Sequence, residues 1–205
     1  IAKGQWTAQQ ASSHLFSVYH SYRPQVSQNL MNLLGSHDTP RFLTECGGNQ
    51  RLAALGATLL LTWPGSPSIY YGDELGMEGG ADPMNRKGMQ WELASPSNTI
   101  LSHYKKLISL RNSTPALRTG DPEPLVLKSD SVMGFSRTEG SSRCLVFVNR
   151  SEKEQVIDVP LRRDWESWTR HRLRDALGSA KVARPGRGLL RLTLAPVSGA
   201  VILSS

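Results

Sequence analysis

Cysteine is scarce in this chain: only Cys46 and Cys144 occur in 205 residues, far apart and without metal-ligand spacing. That excludes a disulfide scaffold and a cysteine cage for zinc, and predicts free thiols, which favour a cytoplasmic home. Long apolar runs are also missing. The longest, Leu52 to Trp63, falls short of the roughly 20 residues that cross a bilayer, so no membrane partner is expected. The opening IAKGQWTAQQ has no charged segment leading into an apolar one, so no signal peptide is expected there. Internal repeats, low-complexity tracts, a glycine-rich phosphate loop and a nucleophilic Ser or Cys elbow are all lacking. His14 and His20 have no carboxylate or thiol placed beside them for a metal, and neither metal nor cofactor is expected.

What is present is ordinary for a globular chain: 39% hydrophobic and 20% charged residues, enough for one large domain or two small ones. The net charge of +7 comes largely from late arginines: Arg162, Arg163, Arg170, Arg172, Arg174, Arg184, Arg187 and Arg191. With no recognition motif and no aromatic stacking pattern among them, they read as a solvated basic face, and no nucleic-acid partner is expected.

Leu30 to Leu34 is a short apolar run closed by Gly35, Ser36, His37, Asp38, Thr39, Pro40 and Arg41. Its length and near-unbroken apolarity predict a strand buried on both faces, with His37 and Asp38 at its C-terminal end, where α/β barrels carry their chemistry. Around it the spacing predicts a helix over 8–22, a helix over 51–63 capped by Asn49, a strand over 67–72, and a helix from Ser95-Pro96 to about Arg111. In that last helix Lys105, Lys106 and Arg111 complement the macrodipole. Helix and strand alternate as in an α/β barrel. After a linker-like turn at Thr119 to Pro122, short segments at 125–128, 132–137, 144–149, 156–159, 189–194 and 200–203 predict an antiparallel β-sandwich. The expected division is 1–118 and 119–205. Trp165 and Trp168 are expected to pack in the sandwich rather than to stack on sugars.

Asp73 and Glu74, adjacent in a segment read as extended, point to opposite sides and cannot flank one bond, so they are taken as structural. Asp82 and Arg86, four apart in a loop bounded by Gly and Pro, could be a simple salt bridge or a paired acceptor and forked donor for hydroxyl groups.

Three stretches taken together, NLLGSHDTPR, PGSPSIYYGDELGMEGG and ADPMNRKGMQWE, resemble conserved segments of the α-amylase family of glycoside hydrolases (family 13), closest in flavour to neopullulanases, cyclomaltodextrinases and maltogenic amylases. RLRDALGS (Arg172 to Ser179) resembles a strand of the family's C-terminal domain. The resemblance implies the last part of a (β/α)8 barrel, strands 7 and 8 with their helices, followed by a β-sandwich. It also implies an α-glucan oligosaccharide as substrate, Asp38 and His37 bonding the distorted sugar at the transition state, and Asp82 and Arg86 contacting sugar on the donor side.

A retaining glycosidase needs a nucleophilic carboxylate and an acid/base about 5 Å apart. In the family these lie on the fourth and fifth strands, which this chain does not supply. The chain therefore reads as a fragment, inactive alone, whose partner is the N-terminal part of the same protein; a homo-oligomer is left open. Two rivals stand beside this reading: an inactive barrel of the same lineage serving as an interaction scaffold, as in heavy chains of amino-acid transporters, and a carbohydrate-binding module.

Overall fold

The computed structural model describes residues 1–162, 165, 168, 171–183 and 188–204. Helix α1 (Ala8–His20) begins at a reciprocal cap: the Thr7 hydroxyl accepts from the Gln10 N–H and the Gln10 side chain accepts from the Thr7 N–H. Its buried Phe16 and Tyr19 meet Trp63 edge-on, with ring centres 5.1 and 6.3 Å away, and Trp63 meets Phe135 at 5.2 Å. A short helix α2 (Pro24–Ser27) leads into strand β1 (Met31–Leu33), which pairs in parallel with β2 (Ser66–Ser68), Asn32 opposite Pro67.

Between these strands run α3 (Phe42–Glu45) and α4 (Gln50–Thr62). Asn49 caps α4 as expected, its side-chain oxygen accepting from the N–H groups of Arg51 and Leu52. The expectation that the first strand is buried on both faces is overturned: Met31 is 67% exposed, because among the described residues β1 has only β2 beside it. The second strand is also shorter than expected. It ends at Ser68, and Tyr70 and Tyr71 turn away to pack against an arginine.

Helix α5 (Thr99–Ser113) starts three residues later than a Ser95 cap implied. Asn98 is the cap, accepting from the Leu101 N–H while its amide donates to the carbonyls of Leu75 and Leu93; that tertiary anchoring outweighs the Ser-Pro signal. Helix α6 (Pro115–Thr119) follows, and then β3 (Asp121–Pro124), where the sequence implied a linker. Two prolines fit in β3 because it is the edge of its sheet. The strand expected over 125–128 does not form, although the Leu125 N–H still donates to the Gly134 carbonyl.

The remaining strands are β4 (Val132–Glu139), β5 (Ser142–Asn149), β6 (Gln155–Pro160), β7 (Leu173–Asp175), β8 (Ala180–Val182), β9 (Leu189–Leu194) and β10 (Ser198–Ser204). They form one sheet in the order β3-β4-β5-β10-β7 and a second in the order β6-β9-β8, both antiparallel. Alternation along β5 explains the layering. Leu145 and Phe147 face the second sheet and meet Ile157, Val159, Leu190 and Leu192, whereas Cys144, Val146 and Val148 face the helices with Phe16, Leu55 and Trp63.

Trp165 and Trp168 are buried in the inter-sheet core, edge to face at 5.0 Å, as packing residues. In the RLRDALGS stretch the Asp175 carboxylate accepts from the N–H groups of Leu177, Ser179, Ala180 and Val201, which fixes the turn between β7 and β8. Of the basic residues, Arg191 makes a two-pronged pair with Asp158 at 2.7 Å and Arg162 pairs with Glu123 at 2.6 Å; Arg163, Arg170, Arg184 and Arg187 lie outside the described residues. Both thiols are free and buried, and burial pushes Cys46 up to about 11 and Cys144 up to about 12. No described helix is long and apolar enough to cross a membrane.

Arg111 does not serve as a surface complement to its own helix dipole. Its guanidinium is buried against the end of α4, donating to the carbonyls of Leu61 (2.9 Å), Trp63 (3.0 Å) and Gly65 (2.6 Å). From β4, Arg137 donates to Thr62 O at 2.5 Å and Gly120 O at 2.9 Å. Two cations thus satisfy carbonyls that the helix end leaves unpaired, and they join α4 to both α5 and the larger sheet.

Candidate active site

His37 and Asp38 stand just beyond β1 in a turn that the sequence builds locally. The Ser36 N–H donates to the Thr39 hydroxyl at 3.1 Å, and the Asp38 N–H donates to the Ser36 hydroxyl at 3.1 Å, so small hydroxyl residues supply the turn's bonds. Gly35 allows the turn to sit low: a Cβ there would come within 2.4 Å of the Asp73 carboxylate. The result is an exposed carboxylate on a fixed base. Asp38 is 70% exposed, with the His37 imidazole nitrogen Nε2 at 3.2 Å from its Oδ1 and an Arg86 nitrogen at 4.0 Å from the same oxygen.

Arg86 and Asp82 come from the loop that follows β2. Arg86 Nε lies 3.1 Å from Asp82 Oδ1 and donates to the His37 carbonyl, also at 3.1 Å. The structure therefore brings all four sequence-derived site residues into one patch, with the simple Asp82–Arg86 salt bridge present as one part of it. These side chains are solvated, so Coulombic attraction alone holds them weakly; what fixes the patch lies beneath it.

Of the two main supporting groups, Arg41 belongs to the stretch the sequence singled out, whereas Asn85 does not stand out there. Arg41, 1% exposed, lies against the rings of Tyr70 and Tyr71, its central carbon 4.2 and 4.5 Å from their centres, and donates to the Tyr71 carbonyl and to Asp73 Oδ1. Burial pushes the Asp73 carboxyl up to about 6, against the pull of the Arg41 guanidinium. Asp73 and Glu74 sit in a 3₁₀ turn (Asp73–Leu75) rather than an extended segment, but Asp73 is a structural residue under the site, as the sequence implied. Asn85 is the second such group: fully buried, it donates one amide to the carbonyls of His37 (2.8 Å) and Thr39 (2.9 Å). The only sequence signal for either was position, Arg41 at the end of the His-Asp stretch and Asn85 between two site residues.

Among the described residues no group of three or more His, Cys, Asp or Glu side chains is placed to hold a metal ion. An exposed carboxylate beside an imidazole and a guanidinium can accept and donate hydrogen bonds to vicinal hydroxyl groups.

The family description "Alpha amylase, catalytic domain" matches residues 2–99, and "Maltogenic Amylase, C-terminal domain" matches residues 125–201. The chain is 42% identical over 162 residues to a cyclomaltodextrinase of Geobacillus thermopakistaniensis, covering 78% of this chain and 28% of that protein. It is 35% identical over 204 residues to neopullulanase 2 of Thermoactinomyces vulgaris, covering 98% of this chain and 34% of that protein. The solved debranching enzyme from Nostoc punctiforme superposes with a TM-score of 0.84 at 32% identity, covering 97% of this chain and 40% of that one. The chain thus spans about a third of the length of these relatives. A two-stranded parallel piece of barrel joined to a β-sandwich, with both parts matched in order, places this chain in the α-amylase family of glycoside hydrolases, family 13.

Proposed function

We propose that this chain is the C-terminal part of a retaining glycoside hydrolase that cleaves or transfers α-glucosidic bonds in starch-like oligosaccharides or cyclodextrins. Residues 1–118 contribute the end of the barrel and 119–205 the sandwich. The nucleophile and the acid/base come from a part of the protein outside this chain. Asp38 and His37 bond hydroxyls of the sugar as its ring distorts; Asp82 and Arg86 hold donor-side sugar. A cytoplasmic home is part of the proposal, supported by the two free, buried thiols.

The observation that carries the reading is the Asp38 carboxylate, exposed yet standing on a turn clamped from below, with His37 and Arg86 at its flank. A preorganised acceptor of this kind accelerates a reaction when its bonds are stronger in the transition state than in the ground state. The test is Asp38→Asn in the full-length enzyme, which should lower kcat far more than it raises KM. Near-normal turnover would make Asp38 a structural residue, whereas an unsubstituted full-length protein without turnover would favour the scaffold reading.

A further inference from the structure

We infer that Asn85 is a positioning residue for Asp38, coupling the 82–86 loop to the carboxylate that faces the sugar; the inference rests on the function proposed for Asp38. Both partners of the Asn85 amide are main-chain carbonyls flanking Asp38, those of His37 at 2.8 Å and Thr39 at 2.9 Å. The His37 carbonyl belongs to the peptide that enters Asp38 and the Thr39 carbonyl to the peptide one residue beyond, so the two bonds bracket the turn from which the Asp38 side chain projects. The orientation of the carboxamide is forced: reversed, it would aim its own oxygen at two carbonyl oxygens.

Among the described residues Asn85 Oδ1 is buried without a hydrogen-bond partner, a costly arrangement that most buried side chains avoid. An apolar side chain of similar size would fill the space without that cost, so the value of asparagine here lies in its two donors. Two further contacts make the coupling mechanical. Arg86 Nε, one residue on, donates to the same His37 carbonyl, and the Arg41 N–H at the end of the turn donates to Gly79 O at 2.9 Å. Gly79 in turn packs directly under Asn85, where a Cβ would lie 3.0 Å from the Asn85 Cα. The loop that carries Asp82 and Arg86 and the turn that carries His37 and Asp38 move as one body through this residue.

The experiment is a double-mutant cycle in the full-length enzyme on maltooligosaccharides, combining Asn85→Ala with Asp38→Asn and recording melting temperature beside kcat and KM. Asn85→Ala should lower kcat by about 10- to 100-fold, the effect of a misplacement near 1 Å, with little change in KM. In the Asp38→Asn background the same substitution should cost less than about twofold, because the group it positions is already gone. An equal loss in both backgrounds, or a loss confined to KM, would overturn the inference while leaving Asp38 in its role. If Asp38→Asn alone keeps its turnover, the reading of Asp38 and the inference fall together. Should Asn85→Ala not fold, Asn85→Ser, which keeps one donor, carries the same cycle, and an additive result there is equally decisive.

Discussion

Replacing Arg137 with methionine tests how the barrel piece and the sandwich are joined. The side chain is fully buried on β4, and its guanidinium donates to Thr62 O at the end of α4 and to Gly120 O just before β3. Burial pulls its pKa down to about 10, so it remains charged near neutrality. Two charge-assisted bonds are worth about 1.5–3 kcal/mol each, partly offset because methionine removes a buried charge, and a net loss of about 3 kcal/mol is expected. The loss should be local, since Arg111 still holds Leu61, Trp63 and Gly65. Native-state hydrogen exchange in the full-length protein reads it directly: the Trp63 amide, bonded to Leu59 O, should exchange about a hundredfold faster. Arg137→Lys should restore less than half of the protection, because a single ammonium cannot reach both carbonyls in the same geometry. Unchanged protection in the methionine variant would mean that the buried charge costs as much as its bonds return, and that Arg137 adds nothing net to the junction.

Gly79→Ala should push the 84–86 turn away, because its Cβ would lie 2.4 Å from Met84 O; a stability loss of about 1–3 kcal/mol with reduced turnover is expected from melting curves and kinetics. The Asp73 carboxyl, raised from 3.8 to about 6, makes the folded state bind more protons than the unfolded one between those values, so this group's contribution to stability falls as pH rises through that window and is level above it. Unfolding free energies from urea curves should show the parent losing up to about 3 kcal/mol relative to Asp73→Asn between pH 4 and pH 7. Asp82→Ala should lower specificity constants more for long maltooligosaccharides than for short ones, whereas Arg86→Ala, which also releases the His37 carbonyl, should reduce turnover at every length.

The alternation of β4 and β5 and the cap at Asn49 were legible in the sequence because their causes are local: side-chain period and a single side chain reaching the next N–H groups. Misreadings occur where a distant partner decides. Asn98 wins over Ser95 as the α5 cap through carbonyls on Leu75 and Leu93, and Arg111 leaves its own helix's dipole for the end of α4. Asp121–Pro124 looks hostile to a strand until its place at a sheet edge is known. The apolar run at β1 is a different case. Leucine and methionine there specify burial, yet the described residues give that strand a single neighbour and leave Met31 exposed. The same distinction governs the site. His37, Asp38, Asp82 and Arg86 were singled out because they lie in stretches that resemble the family's conserved segments and bear groups suited to hydroxyl binding, and such types can be seen one at a time. Asn85 acts through bonds to main-chain carbonyls nearly fifty positions earlier, and every residue has such a carbonyl. Residue type marks the groups that meet a substrate, while the groups that aim them become visible only when the chain has brought donor and carbonyl together.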